Sequence, residues 1–330
     1  MTMVAELTAE EILYATNSRL KSGCIDEQPG KIVWNLDELT PGDWFIAIPS
    51  ERHDPHDDLS LAIERGARGC IVNRRSRYAA AAKDAVLISV PDTRTALLDI
   101  VRYWRHRVQP RVVGVTGSNG RRVTMMLLSQ LLQNNAKTHI AFMENLGWFG
   151  CVREVLSMPQ GTDVLIFEAG AVARGDIARI GSALDPDLVV LTQIRHPLPS
   201  PEREALTAAL YCELLETLPE FPNEKLAAVI YDKNPAMQKR ADQVLKDLLA
   251  SRHSLSGKGI AERLSESALH QLSEAMQSAI SEPVSRAEVW CAVEAAKALG
   301  MSTSELEEIF ELDGQDLGHQ SGLPSVRLIG

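Results

Sequence analysis

The chain has 330 residues and the hydrophobic content of an ordinary globular protein, which is enough for two domains with buried cores. Its formal net charge of −10 argues against nucleic acid or an anionic membrane surface as the main partner. The five cysteines are scattered without CxxC spacing and indicate reduced thiols rather than disulfides or a zinc site. No stretch is long and apolar enough to span a bilayer, so we expect a cytoplasmic protein without membrane insertion.

Apolar strands and amphipathic helices alternate along the first 109 residues, which is typical of an α/β fold. Thr8 and Glu11 form a capping-box pattern that predicts the start of a helix. Asp92 precedes a long amphipathic helix that is predicted to continue to about Arg107. The other predicted elements are a helix at 59–65 and strands at 31–35, 44–48, 70–72 and 86–90.

Gln109-Pro110 marks the predicted boundary between two domains, 1–109 and 110–330. The second domain again alternates apolar strands with helices, so we expect a doubly wound, mostly parallel sheet. Its predicted strands are 112–116, 138–142, 164–168, 188–192, 226–231 and 326–329, and its predicted helices are 173–184, 202–218 and 285–299.

A buried strand, a glycine turn and a helix start follow one another between Arg111 and Thr124. This order is the layout of a phosphate-binding loop, in which backbone N–H groups and a helix N-terminus converge on an anion. A working loop also needs a Lys for the outer phosphates and a Ser or Thr hydroxyl for Mg²⁺, but two arginines follow the last glycine here. The candidate nucleotide- or anion-binding residues are Thr116, Gly117, Ser118, Asn119, Gly120, Arg121 and Arg122.

Motifs in both halves of the chain resemble the Mur ligase family, the ATP-dependent ligases that build the peptide stem of peptidoglycan. They are Leu39-Thr-Pro-Gly-Asp43, His53-Asp-Pro-His-Asp57, Gly114-Val-Thr-Gly-Ser-Asn-Gly120, Asn145-Leu146 and Phe167-Glu-Ala-Gly-Ala171. The resemblance implies an N-terminal UDP-substrate-type domain at 1–109 and a central ATPase-type domain at 110–330. The chain stops where the family's third, C-terminal domain would begin, so we expect that domain to be absent.

The departures from the family pattern concern the groups that serve ATP and Mg²⁺. Arg121 stands where the resemblance implies the loop Lys, and Arg122 stands where it implies the hydroxyl that ligates Mg²⁺. The family's carbamylated Lys has no counterpart, because no Lys occurs in 138–224. The family's His-Asn pair corresponds roughly to 283–287, which contains neither residue.

Glu168 and His196 are the vestigial catalytic candidates, because the resemblance implies a metal-binding Glu and a metal-binding His at these positions. Glu168 ends an apolar strand, where an acid needs a partner, and we expect an ion pair with Arg121 or Arg122 in the former metal position. Two interpretations of the arginines stay open: an anion site that works without Mg²⁺, or solvated side chains left after loss of function. His196 beside Pro197 also fits an ordinary loop.

His53, Asp54 and His56 have the composition of a metal cluster, but no further ligand follows at a suitable spacing. The resemblance instead implies a loop inherited from a UDP-substrate-binding domain, and we expect no metal site. The family's uridine-contacting segment is replaced here by Val33-Trp-Asn-Leu36.

Together these departures predict a catalytically inactive Mur-ligase-like protein with a binding, regulatory or scaffolding role linked to peptidoglycan precursor synthesis. We expect an unidentified protein partner, such as a cell-wall synthesis protein, with a UDP-sugar or nucleotide as candidate ligand and no cofactor. The alternative is a divergent ATP-dependent ligase completed by a partner chain, and ATP and Mg²⁺ are expected only under that alternative. A third hypothesis is an interaction module that keeps only the fold.

Overall fold

The computed structural model of the protein describes residues 5–74, 85–143, 147–171, 173–193, 198–218, 227–230, 235–250, 285–302 and 304–306. The chain folds as two compact units. The first consists of Met1–Gln109 and Val152–Gln160, and the second consists of Pro110–Cys151 and Gly161–Gly330. Three features singled out from the sequence, His196, the Asn145-Leu146 motif and the predicted strand at 326–329, lie outside the described residues.

The described residues of the first unit form a six-stranded sheet in the order β1-β3-β4-β5-β6-β2. The four central strands are parallel neighbours, whereas β1 and β2 pair antiparallel at the two edges. The sequence did not predict the edge strands, because β1 is very short and β2 exposes most of its side chains. The strands are β1 (Glu6–Leu7), β2 (Arg19–Ser22), β3 (Gly30–Val33), β4 (Trp44–Ile46), β5 (Gly69–Asn73) and β6 (Val86–Val90).

Helices α1 (Ala9–Ala15), α2 (Leu59–Glu64) and α3 (Thr93–Val108) belong to this unit. The predicted capping box of α1 is confirmed: the Thr8 hydroxyl accepts the N–H of Glu11 at 3.2 Å, and the Glu11 carboxylate accepts the N–H of Thr8 at 2.9 Å. Helix α3 ends at Val108, and the following Gln109, whose φ of +57° is left-handed, stops the helix. Its buried Trp104 donates Nε1–H to the carbonyl of Met158 at 3.1 Å, which ties Val152–Gln160 into the first unit.

The described strands of the second unit form an all-parallel sheet in the order β11-β10-β7-β9-β8, as expected for a doubly wound fold. The chain winds to one side of β7 first and then crosses to the other side. Ligands of open α/β sheets bind at the carboxyl ends of the strands where the winding reverses. The strands are β7 (Arg111–Thr116), β8 (Thr138–Ala141), β9 (Val164–Ala169), β10 (Leu188–Leu191) and β11 (Ala227–Ile230).

The helices that begin in the second unit are α4 (Arg121–Leu132), α5 (Trp148–Leu156), α6 (Asp176–Leu184), α7 (Pro201–Cys212), α8 (Pro235–Ala250) and α9 (Arg286–Ala298). Helix α4 packs against α9 through buried side chains that include Leu128, Leu131, Val289 and Ala292. This packing brings the first turn of α9 to the start of α4.

Helix α7 ends at Cys212, earlier than the predicted residue 218, and a 3₁₀ turn at Leu215–Thr217 follows it. Leu214, Leu215 and Leu218 are all buried, so the apolar pattern continues where the backbone tightens from α to 3₁₀ geometry.

The cysteines are free thiols, with Cys24 exposed and the other four buried. Burial raises the pKa of the Cys70 thiol to about 12, so this side chain is an inert part of the core. Among the described helices, none has the length and apolarity needed to cross a bilayer.

Candidate functional site

The glycine loop joins the carboxyl end of β7 to the start of α4, in the predicted order of strand, turn and helix. Gly117 with φ +135° and Gly120 with φ +78° take backbone conformations that favour glycine. A Cβ on Gly117 would lie 2.3 Å from Oγ1 of Thr192, so space as well as conformation excludes a side chain there. Gly117 therefore permits the close approach of Thr192, which follows β10, to the loop.

The first half of the loop is fastened to the residues that follow β10. Ser118 and Asn119 donate their N–H groups to the carbonyl of Gln193 at 3.0 and 3.1 Å. The hydroxyl of Thr192 lies 2.7 Å from the carbonyl oxygen of Asn119, and the hydroxyl of Thr116 donates to the carbonyl of Ala169 at 2.8 Å. Two backbone donors that a phosphate-binding loop would present to an anion are thus used within the fold.

Arg121 reaches from α4 to the carboxyl end of β9. Its Nε–H donates to Oε1 of Glu168 at 2.9 Å, and Nη1 donates to the carbonyl of Gly117. The Glu168 side chain is only 5% exposed, and its Oε2 accepts the N–H of Met143 at 3.2 Å. The ion pair that the sequence predicted for Glu168 is confirmed, and its partner is Arg121.

Arg122 is exposed, and its guanidinium carbon lies 4.5 Å from the centroid of the Phe142 ring, a cation–π contact. The N–H groups of Arg121, Arg122 and Val123 have no acceptor in the described part of the chain, as is usual for the first turn of a helix. Of the predicted anion-binding groups, the fold leaves available the exposed Arg122, the N–H groups in the first turn of α4, and the N–H groups of Gly117 and Gly120, which have no acceptor among the described residues.

Glu288 brings a second carboxylate to the loop, and the sequence did not predict it as a site residue. Its Oε2 accepts the N–H of Ser285 at 2.5 Å in a capping box at the start of α9. A Cβ on Gly120 would lie 2.6 Å from Oε1 of Glu288. The capping box was readable in the sequence as Ser285 and Glu288, but their position beside the loop depends on the packing of α9 against α4.

His53, Asp54 and His56 lie in the first unit, between β4 and α2. His56 is 2% exposed, with Nδ1 2.6 Å from Oδ1 of Asp54 and Nε2 accepting the N–H of Asn73 at 2.9 Å. The ring therefore carries its proton on Nδ1, and both of its nitrogens serve the fold. Burial acts to raise the pKa of Asp54, but hydrogen bonds from the ring and backbone of His56 outweigh it and hold that pKa below its usual value.

His53 is more exposed, and its Nε2 lies 2.5 Å from Oδ2 of Asp58. This hydrogen bond raises the pKa of His53 above its usual value and outweighs the opposing effect of desolvation. The two histidines thus take different carboxylate partners. Within the described residues, no group of three or more His, Cys, Asp or Glu side chains is arranged to hold a metal ion.

The segment that replaces the family's uridine-contacting residues forms a turn. Asn35 caps a short 3₁₀ helix by accepting the N–H of Asp37 at 3.1 Å, and the carbonyl of Leu36 accepts Nη1 of Arg65 at 2.7 Å. The Trp34 ring lies under the guanidinium of Arg153, 5.4 Å from its centroid. These polar groups support the local fold.

Residues 115–197 match the family model of the Mur ligase middle domain. This stretch contains most of the glycine loop, Arg121 and Glu168. The chain is a Mur ligase relative. The family resemblance given by the motifs and the α/β fold that it implies are both confirmed.

Curated proteins similar to this Mur ligase relative include the UDP-N-acetylmuramoyl-tripeptide–D-alanyl-D-alanine ligase of Bacillus subtilis. It is 30% identical over 150 residues, which cover 46% of this chain and 32% of that ligase. The ligase of the same name from Escherichia coli K12 is 28% identical over 157 residues, covering 48% of this chain and 34% of the relative. The chain therefore spans about one third of the length of the curated relatives that it matches.

Solved structures of Mur ligases share the fold. The UDP-N-acetylmuramoylalanyl-D-glutamyl-2,6-diaminopimelate–D-alanyl-D-alanyl ligase of Acinetobacter baumannii gives a TM-score of 0.63 at 22% identity, covering 74% of this chain and 53% of that one. The MurF ligase of Thermotoga maritima, solved in complex with ADP, gives a TM-score of 0.55 at 25% identity, covering 65% of this chain and 48% of that one.

Proposed function

We propose that this Mur ligase relative is non-catalytic and has a binding, regulatory or scaffolding role linked to peptidoglycan precursor synthesis. The observation that carries the proposal is the ion pair between Arg121 and Glu168 at 2.9 Å. The family resemblance implies a metal ion at this carboxylate. Here the Arg121 guanidinium is held by Glu168 and by the carbonyl of Gly117. The charge of the Glu168 carboxylate is therefore neutralised by a side chain of the same protein.

The chemistry of phosphoryl transfer supports this proposal. Such transfer relies on positioning the phosphates and on neutralising their charge with Lys and Mg²⁺. In this chain Arg121 stands in place of the loop Lys, and it is paired with Glu168. Arg122 stands in place of the residue whose hydroxyl would bind Mg²⁺, and its exposed positive charge would repel the metal. The N–H groups of Ser118 and Asn119 are bonded to Gln193. Little is left on the loop to accelerate the formation of an acyl phosphate.

The binding role rests on the relatives and on the retained fold of the first unit. The curated relatives are named for UDP-linked substrates, so a UDP-sugar is the proposed small-molecule ligand class, with an unidentified protein as the further partner. The loop that holds His53, Asp54 and His56 is well ordered by its own hydrogen bonds. Since those hydrogen bonds occupy both nitrogens of His56, that residue shapes the loop and does not contact a ligand through its ring nitrogens.

The test is an assay of ATP turnover and of amide-bond formation with Mg²⁺, D-alanyl-D-alanine and UDP-linked muramoyl peptides. The Bacillus subtilis ligase serves as the positive control under the same conditions. We expect no turnover by this chain above the rate without protein. Hydrolysis of ATP that depends on the UDP-linked peptide would overturn the proposal.

The second candidate is a divergent ATP-dependent ligase of the Mur family that a partner chain completes. The observation that favours it is the intact start of α4, where the N–H groups of Arg121, Arg122 and Val123 have no acceptor among the described residues. This candidate predicts a stable partner on copurification, and ATP turnover by the mixture that neither protein shows alone. A copurified complex without ATP turnover would support the non-catalytic role instead.

A further inference from the structure

The carboxylate of Glu288 lies against the glycine at which α4 begins. Glu288 is only 7% exposed, and the hydrogen bond from Ser285 at 2.5 Å fixes the direction of its side chain. Its Oε1 is 2.6 Å from the place that a Cβ on Gly120 would take. Gly120 is the N-cap residue of α4, so the chain presents its own carboxylate at the N-terminal end of that helix.

The N-terminal end of a helix carries a partial positive charge that attracts anions. A carboxylate held there stabilises α4, and its negative charge repels a second anion that approaches the same end. Glu168 adds a second buried carboxylate on the β9 side, where Arg121 already neutralises it. Among the described residues of the loop and the first turn of α4, the cation left to favour an incoming anion is the exposed Arg122, which solvent screens.

We propose that Glu288 is an internal anion that lies beside the anion-attracting end of α4, without accepting its first-turn N–H groups, and lowers the affinity of the glycine loop for phosphate-bearing ligands. This inference rests on the proposed function, because a loop that handles no ATP tolerates a carboxylate beside Gly120. The contact is autoinhibitory: a phosphate group binds the first turn of α4 with full strength only when the charge of Glu288 is removed or its side chain withdraws.

The test is the variant Glu288→Gln, which keeps the length of the side chain and an oxygen acceptor for the N–H of Ser285 while removing the charge. The probe is inorganic pyrophosphate without divalent metal, titrated by calorimetry into the full chain. We expect the variant to bind at least about tenfold more tightly than the natural sequence, since one nearby repulsive charge is removed. Its affinity should fall steeply as salt is raised.

The matched control is Glu294→Gln, which neutralises another largely buried carboxylate of α9, one that pairs with Lys297 at 3.4 Å. We expect this control to leave the pyrophosphate affinity unchanged. Equal affinities of Glu288→Gln and the natural sequence, or an equal gain in the control, would overturn the inference. If Glu288→Gln does not fold, Glu288→Asp withdraws the carboxylate from Gly120, and a smaller gain in affinity is expected; no gain would again overturn it.

The two proposals fail separately in these experiments. ATP turnover by the natural sequence contradicts the non-catalytic role whatever the affinity for pyrophosphate. An unchanged pyrophosphate affinity in Glu288→Gln contradicts only the role of Glu288, because a non-catalytic loop does not require an internal anion.

Discussion

At the scale of the residue, Arg121 is held by two acceptors, one on β9 and one in the glycine loop that follows β7. Its Nε–H donates to Glu168 at the end of β9, and its Nη1 donates to the carbonyl of Gly117 after β7. The planar fork of a guanidinium suits two acceptors in different directions, whereas an ammonium group is a compact point charge. Arg121 therefore links the loop to the neighbouring strand without a metal ion.

We predict that Arg121→Ala lowers the free energy of unfolding by about 2–4 kcal/mol, because it leaves the buried Glu168 carboxylate without its cation. The matched control Arg122→Ala removes an exposed cation from the same helix turn and should cost only a fraction of that. Urea unfolding followed by far-ultraviolet circular dichroism measures both variants. Equal losses in the two variants would show that the ion pair contributes nothing specific.

At the scale of the element, the connection between β4 and α2 is ordered by two separate histidine–carboxylate pairs. Asp54 caps the short 3₁₀ helix Pro55–Asp58 by accepting the N–H of His56 at 3.1 Å, and it also contacts the ring of the same residue at 2.6 Å. The His56 ring then accepts the N–H of Asn73 at the end of β5. His56 thus fastens the connection to the sheet, whereas His53 pairs with Asp58 inside the connection.

The His53–Asp58 pair predicts a pH effect within this connection. The hydrogen bond to Asp58 raises the pKa of His53 in the folded state above its unfolded-state pKa of about 6.5. The pair therefore stabilises the fold fully below about pH 6.5, and this contribution is lost as the pH rises through the folded-state pKa. We expect Asp58→Asn to lower the pKa of His53 toward 6.5, measured from the ring proton shifts by nuclear magnetic resonance. Asp37→Asn, a charge change on an exposed acid of the same unit, is the control. A His53 pKa that is the same in Asp58→Asn as in the natural sequence would refute the pairing.

At the scale of the whole molecule, the first unit is discontinuous in sequence. Its segment Val152–Gln160 makes two further contacts with the first 109 residues, in addition to the hydrogen bond from Trp104. The N–H of Ala5 donates to the carbonyl of Leu156 at 2.8 Å, and Arg153 pairs with Glu38 at 2.8 Å. Leu156 is fully buried. A boundary drawn at Gln109 alone therefore removes part of this unit's core.

We predict that a fragment of residues 1–109 is less stable than the first unit in the full chain by at least about 3 kcal/mol, because buried apolar contacts of residues 152–160 are lost. Adding residues 148–160 through a flexible Gly/Ser linker should restore most of this stability. Urea unfolding of the two fragments makes the comparison. The linked fragment with Leu156→Ser is the control and should not be rescued, since Leu156 is fully buried. A fragment 1–109 as stable as the linked one would contradict the role of this segment.

Much of the fold was readable in the sequence, because its signals are local. The capping box at Thr8, the long helix after Asp92 and the parallel strands of the second unit depend on residue types within a few positions of one another. The sequence missed the edge strands β1 and β2, which are very short or mostly exposed, and it missed α5 although that helix is amphipathic; it extended α7 beyond Cys212 because buried leucines continue past the helix end. Local patterns do not report a change from α to 3₁₀ geometry.

The sequence by itself determined that a glycine loop precedes α4, that two arginines follow it, and that the chain resembles the Mur ligases, since each of these is a matter of residue identity and spacing. Only the tertiary structure decided which acceptors those residues meet. Arg121 finds Glu168 because β7 and β9 are neighbours, and Gly120 meets Glu288 because α9 packs on α4. Such pairings join residues far apart in the chain, and strand order and helix packing fix them, so no local pattern encodes them. In the sequence the loop is a phosphate-binding pattern followed by two unusual arginines. In the fold it is hydrogen-bonded to the guanidinium of Arg121 and lies beside the carboxylate of Glu288.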